Sequence, residues 1–172
     1  MYDFLEHSRT HIPELEITVR LLLAAGLGGL IGLEREIRAR PAGLRTHMMT
    51  ALAAALFTII TFEIYDLVRK QHPESSADPL RIIEAVTAGV AFLAAGSIIF
   101  SRGKVRGLTT GAGMWLAGAI GAACGAGLYF VAVIAAVISV VILSLFKWLE
   151  DRMFPRQARR SATRSGADGA QQ

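Results

Sequence analysis

The chain has 172 residues, of which 53% are hydrophobic and 19% charged, and its formal net charge is +4. Its mean hydropathy is +0.46, and residues 107–146 contain no Asp, Glu, Lys or Arg. A soluble domain of this size cannot easily bury such a run on every face, so composition argues against a soluble protein. A spanning helix needs about 20 mainly apolar residues, and this run alone predicts two.

The sequence predicts an all-α fold, a polytopic membrane helix bundle of about five transmembrane helices. The predicted ranges are 16–34, 46–65, 81–101, 107–124 and 127–149. Residues 16–149 then form a transmembrane domain between an extracytoplasmic segment, 1–15, and a disordered, basic cytoplasmic tail, 150–172. The tail has too few apolar residues to fold alone.

The first segment carries His7, His11 and Glu14 at a spacing that would place them on one helix face. No cysteine or further histidine accompanies them, so solvated side chains are the favoured interpretation. The sequence predicts no metal site and no cofactor.

The connection between the first two predicted helices is crowded with charge. It holds six charged residues between two uncharged stretches, namely Glu34, Arg35, Glu36, Arg38, Arg40 and Arg45. A charge in hydrocarbon costs at least ~2.5–3.5 kcal/mol, so Glu34 and Arg45, where the apolar stretches end, are unlike ordinary surface charges. They either pair with each other to close the connection, or belong to a site for an ion or a partner protein.

The start of the fourth predicted helix would lie at the same face of the membrane. Its threonines are suited to cap free backbone N–H groups. The candidate functional polar site therefore comprises Glu34, Arg35, Arg45, Thr46, Thr109 and Thr110.

Glu84 is the second notable carboxylate, about one turn into the third predicted helix. Arg81 precedes it by three residues, a spacing at which side chains touch, and Arg20 lies at a similar depth in the first helix. An intramembrane ion pair of Glu84 with Arg20 or Arg81 is favoured. A carboxylate that binds a cation or a proton is the alternative.

Small residues recur four apart, a spacing that lets helix backbones approach closely. Packing within the bundle is the favoured role, and self-association into a homo-oligomer is the alternative. The fifth predicted helix is bulky all round, which predicts a lipid-facing position on the perimeter. The small-residue pairs are Gly28 with Gly32, Ala85 with Gly89, Gly107 with Gly111, and Gly121 with Gly125.

Lys and Arg number thirteen on one set of helix ends and five on the other. The positive-inside rule then predicts an N-terminus outside and a C-terminus in the cytoplasm. The predicted partners are the lipid bilayer and other inner-membrane proteins. Nucleic acid is not predicted, because basic residues at a membrane surface have anionic lipid as the simpler partner. No nucleophile–base arrangement or phosphate-binding loop is present, so the chain is not predicted to be an enzyme.

Several blocks, in order, resemble the MgtC/SapB family of bacterial inner-membrane proteins. The resemblance covers residues 21–129. The blocks are Gly-Leu-Glu-Arg-Glu at 32–36, Arg-Pro-Ala-Gly-Leu-Arg-Thr-His at 40–47, Asp-Pro-Leu-Arg-Ile at 78–82, Phe-Leu-Ala-Ala-Gly at 92–96, and Gly-Leu-Thr-Thr at 107–110 followed by Trp115. The chain departs from the family pattern at Ala85, Ala91 and Ala94, and it is similar to the short form without a soluble C-terminal domain.

The resemblance implies a non-enzymatic protein of the bacterial inner membrane. The family is associated with growth under Mg²⁺ limitation and with survival of pathogens inside macrophages. Modulation of membrane partners, or of ion and membrane-potential balance, is the implied mode of action. A transporter or channel for Mg²⁺ or another cation is the alternative.

Overall fold

The computed structural model describes residues 10–74, 78–101 and 104–153. Five helices make up most of this part of the chain, so the all-α prediction is confirmed. They are α1 (Glu14–Ile37), α2 (Leu44–Gln71), α3 (Arg81–Gly96), α4 (Leu108–Gly125) and α5 (Tyr129–Met153), and a short antiparallel pair, β1 (Ile99–Ser101) and β2 (Lys104–Arg106), joins α3 to α4.

Helix α4 lies at the centre of the bundle and contacts all four other helices. Its composition explains that position, because glycine and alanine leave room for neighbouring backbones on every side. Ten of its residues are buried. The apolar core beside it includes Ala24, Ile31, Ala55 and Ile120.

Glycines make the closest helix contacts, as the spacing predicted. A Cβ at Gly28 would lie 2.6 Å from the carbonyl oxygen of His47, and one at Gly121 would lie 2.1 Å from that of Ala51. These positions hold α1 and α4 directly against α2. The pair of Ala85 and Gly89 is different, since both residues are exposed and a Cβ at Gly89 would meet no atom within 4 Å.

Helices α3 and α5 are peripheral. Within α5 the buried side chains described are small, Ala132, Ala136 and Ser139, while large apolar side chains such as Phe130 face outward. The predicted perimeter position of the fifth helix is therefore confirmed. Helix α3 buries only Val90 and Ala94. Beside its N-terminal half lies an apolar cavity of about 300 Å³ between α2, α3 and α4.

The boundaries correct the sequence-based ranges at several points, and α2 ends at Gln71 rather than at residue 65. The first connection is shorter than predicted, because α1 extends to Ile37 and α2 starts at Leu44. The third helix ends at Gly96 rather than at residue 101. β-Branched and aromatic residues favour a strand, and Ile99 and Phe100 lie in β1, opposite Arg106 and Val105.

Gly107 anchors this hairpin against the end of α3. Its φ is +89°, and a Cβ there would lie 2.0 Å from the carbonyl oxygen of Ser97, so the backbone requires glycine. Helix α5 continues through Met153, so the first residues of the predicted tail are helical. The rest of that tail, and residues 1–9 with His7, lie outside the described residues and stay predictions.

Within the described residues, two helices, α1 and α2, are long and apolar enough to cross a membrane, and 129–145 is a shorter apolar stretch. Large apolar side chains are exposed around the bundle, including Phe57 (56%), Phe92 (80%) and Phe130 (77%). Exposed apolar surface on this scale marks a surface that contacts membrane or other protein.

Candidate functional site

The candidate site lies where α1 ends and α2 and α4 begin, which we call the hinge end. Among the described residues, six polar or charged side chains are buried. Two of the six, Arg35 and His47, are ionisable. Both lie at the hinge end. The remaining four are hydroxyls, Thr50, Thr58, Thr110 and Ser139.

Arg35 connects α1 to α4. The residue is 5% exposed, and its Nη2 donates a hydrogen bond to Thr110 Oγ1 at 2.9 Å. Its Nε is buried without a hydrogen-bond partner among the described residues. A buried guanidinium with one neutral acceptor is under-satisfied, because it carries five N–H donors.

His47 is wholly buried at the same junction, on α2. Its Nδ1 lies 3.0 Å from the carbonyl oxygen of Gly43, and since a carbonyl only accepts, that nitrogen carries the hydrogen. Its Nε2 is buried with no partner in the described chain. A Cβ at Gly113 would lie 3.1 Å from Nε2, so the ring faces α4 one turn beyond Thr110.

The carboxylates of the hinge end each have one contact, and Glu34 Oε2 is buried without a hydrogen-bond partner among the described residues. Glu34 forms an ion pair with Arg38, one turn later on α1. Glu36 accepts a hydrogen bond from the backbone N–H of Leu44 at 3.0 Å. That contact supplies an acceptor to the first turn of α2, whose free N–H groups need one. Glu36 therefore fastens the start of α2 to the end of α1.

The opposite end of the bundle has its own polar contacts. Arg20 bonds Glu16 at 2.5 Å and the carbonyl oxygen of Gly125 at 2.6 Å, which ties α1 to the end of α4. Glu63 accepts hydrogen bonds from the backbone N–H groups of His11 and Ile12 at 2.7 and 2.8 Å. His11 Nε2 lies 2.7 Å from Asp66. In the described chain, no group of three His, Cys, Asp or Glu residues is placed to hold a metal.

The family model for the MgtC family matches residues 21–152. The chain belongs to the MgtC family. Among its curated relatives, YhiD of Escherichia coli (strain K12), named as a proposed magnesium transporter, is 37% identical over 139 residues, which is 80% of this chain and 64% of YhiD. Protein MgtC of Brucella abortus (strain 2308) is 38% identical over 137 residues, 79% of this chain and 53% of that protein.

A Haemophilus influenzae protein is 36% identical over 151 residues, 87% of this chain and 63% of its own length. The chain thus spans between about half and two thirds of the relatives it matches. No solved structure matches the chain. Membership of the MgtC family, together with two apolar helices of spanning length, makes this a membrane protein.

The structure brings together only part of the predicted hinge site of this MgtC family member. Arg35 and Thr110 are in contact, whereas Arg45, Thr46 and Thr109 are exposed. The predicted pair of Glu34 with Arg45 is not formed in the described chain. The reason is the extra turn of α1, which places Arg38 one helical turn from Glu34.

The predicted threonine caps were wrong. Gly107 is the N-cap residue of α4, without a side-chain hydrogen bond, so Thr109 and Thr110 lie inside the first turn. Instead, Thr110 accepts from Arg35.

The predicted pairs of Glu84 are also not formed in the part of the chain that the structure describes. Glu84 and Arg81 are exposed on α3, and Arg20 is occupied by Glu16 on its own helix. The peripheral position of α3 explains why Arg20 is not brought to Glu84, because α3 has no extensive interface with α1.

Sequence reasoning missed His47 as a site residue. A sequence feature could have pointed to it, because His47 follows Gly43 by four residues and lies within the Arg-Thr-His motif. What pattern alone did not supply was its burial. That burial follows from Gly28 and Gly32, which bring α1 against His47.

Because Glu34 pairs with Arg38, we expect mutations of these two residues to be energetically coupled, and mutations of Glu34 and Arg45 to be independent. We expect Glu34→Gln and Arg38→Gln to show an interaction energy of about 1 kcal/mol in a double-mutant cycle, because Glu34 is only 9% exposed in its side chain. Glu34→Gln with Arg45→Gln should be additive. The measurement is unfolding in detergent, and coupling to Arg45 in place of Arg38 would contradict this arrangement.

Proposed function

We propose that the chain is a non-enzymatic, multi-pass protein of the bacterial inner membrane that serves magnesium homeostasis. It acts through contact with membrane partners, or through ion and membrane-potential balance, rather than by carrying the ion. In pathogens this role extends to adaptation inside macrophages. The MgtC family match and the magnesium-related name of YhiD support the link to magnesium.

One observation favours action through partners over ion transport. The charged side chains of the described helices lie toward the two ends of the bundle, and its middle is apolar. The core contains Ala24, Ala55, Ile120 and Cys124. The buried hydroxyls of Thr50, Thr58 and Ser139 bond carbonyl oxygens of their own helices. Carboxylates lining a path are what a cation carrier would require, and the described core offers none.

The alternative is a cation transporter or channel, which the name of YhiD favours. Its carboxylate would be Glu84, the acidic residue of the first turn of α3. Glu84 is exposed, so under this alternative it would bind a cation on the outer surface of α3. Such a protein needs α3 to move, or a second copy to cover Glu84.

Purified protein in sealed liposomes with an internal Mg²⁺ indicator tests the choice. We expect uptake no faster than in protein-free liposomes, and no change on Glu84→Gln. The matched control is Glu74→Gln, an exposed carboxylate outside the helices. Saturable uptake that Glu84→Gln abolishes and Glu74→Gln preserves would establish transport in place of our proposal.

The proposed orientation is N-terminus outside, C-terminus in the cytoplasm, with five spans. It rests on the distribution of thirteen Lys and Arg residues against five. A reporter that is active only in the cytoplasm should be active after residue 172 and silent when inserted near residue 75. The reverse pattern of reporter activity would contradict this orientation and place the C-terminus outside.

A further inference from the structure

The guanidinium of Arg35 forms no ion pair in the described structure, and the charge of Glu34 acts on it only from a longer distance. No carboxylate lies within ion-pair distance of its guanidinium there. Glu34 is its neighbour in sequence, but successive residues of a helix face different directions, and Glu34 contacts Arg38. A charge that is 95% withdrawn from solvent and unpaired is costly, so the position of Arg35 calls for an anion.

The atoms around Arg35 are also short of partners. Thr110 Oγ1 accepts from Arg35, which leaves its hydroxyl hydrogen free to donate. His47 Nε2, one turn further along α4, is unpartnered as well. Arg35, His47 and Thr110, one from each of three helices, are thus all buried at this junction. Arg35 and Thr110 have free donors there, whereas His47 Nε2 is an acceptor because Nδ1 carries the hydrogen.

The surroundings are positive. Glu34 pairs with Arg38 through Oε1, although its Oε2 is buried without a hydrogen-bond partner in the described chain, and Glu36 accepts from the N–H of Leu44. Arg40 and Arg45 are exposed and form no ion pair with a described residue. Together with Arg35 they give this end a positive field that attracts anions from the membrane surface.

We propose that Arg35 and Thr110 form a binding site for a phosphate group at the junction of α1, α2 and α4, supplied by an anionic phospholipid or free in solution. Guanidinium is suited to phosphate because its planar set of donors meets two oxygens at once. In the five-span arrangement proposed above, the hinge end would lie at the level of lipid head groups. This site does not depend on the proposed role in magnesium homeostasis.

The test compares two sources of phosphate with the full chain. In detergent, the melting temperature is followed against inorganic phosphate, with chloride at equal ionic strength as the reference. In nanodiscs, it is followed against the fraction of phosphatidylglycerol in phosphatidylcholine. A ligand that binds the folded state raises the melting temperature in a saturable manner. We expect such a rise with at least one source.

Variants assign the effect to the site. Arg35→Gln should weaken the apparent affinity at least tenfold, and Thr110→Val several-fold. Arg45→Gln, an exposed arginine of the same end, should change it less than threefold. If Arg35→Gln does not fold, Thr110→Val and Arg35→Lys are the variants that test the site. Lysine keeps the charge but loses the paired donors, so Arg35→Lys should weaken binding.

A rise with inorganic phosphate identifies a free-phosphate site, and a rise only with phosphatidylglycerol identifies a lipid site. No saturable rise with either source would overturn the proposal. So would a rise that Arg35→Gln and Thr110→Val leave unchanged, or one that Arg45→Gln abolishes instead.

Discussion

Gly121→Ala should destabilise the bundle by at least the ~1–3 kcal/mol that overpacked cores show. The added Cβ would lie 2.1 Å from the carbonyl oxygen of Ala51 and 2.7 Å from its carbonyl carbon. These are backbone atoms, so relief requires α2 and α4 to separate along their length. Thermal or denaturant unfolding in detergent measures the effect.

Two other glycines provide graded controls for this result. The atoms nearest to a Cβ at Gly118 belong to the side chain of Val90, the closest at 2.7 Å. Val90 lies on α3, which is peripheral and has more room to shift than α2 has, so Gly118→Ala should cost less. A Cβ at Gly26 would meet nothing within 4 Å, and Gly26→Ala should be neutral or stabilising by up to ~1 kcal/mol, as alanine favours a helix. Equal losses at all three positions would contradict the packing described.

Arg20→Gln should destabilise the fold by about 1–3 kcal/mol. The change removes the donor that satisfies the carbonyl oxygen of Gly125, a contact of 2.6 Å, and leaves Glu16 without its partner. The loss falls short of the ~3–5 kcal/mol of a fully buried pair, because the side chain of Glu16 is 39% exposed and water can solvate it.

Lysine at position 20 separates the contribution of the positive charge from that of the guanidinium geometry. Arg20→Lys should recover only part of the loss, because a single ammonium group cannot readily serve both the carboxylate and the carbonyl oxygen. Arg81→Gln, at an exposed arginine of α3, should lie within ~0.5 kcal/mol of wild type. If Arg81→Gln proves as costly as Arg20→Gln, the tie between α1 and α4 does not explain stability at this end.

The helices were predictable because their apolar runs are long and end in charges. Residues 107–146 have no charged side chain, and they do divide into α4 and most of α5. The glycine spacing was equally informative, since Gly28, Gly32, Gly121 and Gly125 all approach a neighbouring helix closely. Such contacts depend on the absence of a side chain, which a sequence displays directly.

Partners of charged side chains were less predictable, because they depend on where a helix stops. Pairing of Glu34 with Arg45 across the connection was one of two interpretations, but one further turn of α1 gives Glu34 the partner Arg38. Glu84 was expected to be drawn to an arginine, yet α3 lies at the perimeter and leaves it exposed. Burial of His47 required the docking of two other helices, information that is not local to its motif.

The central position of α4 constrains the order in which the bundle can assemble during synthesis. Helices α1 and α2 form an extensive interface with each other and can pair as soon as both have left the ribosome. Helix α3 contacts α2 only slightly and depends on α4 for most of its interface. It must therefore stay undocked until α4 has been made, so a chain interrupted before residue 108 would hold a paired hairpin and an undocked third helix.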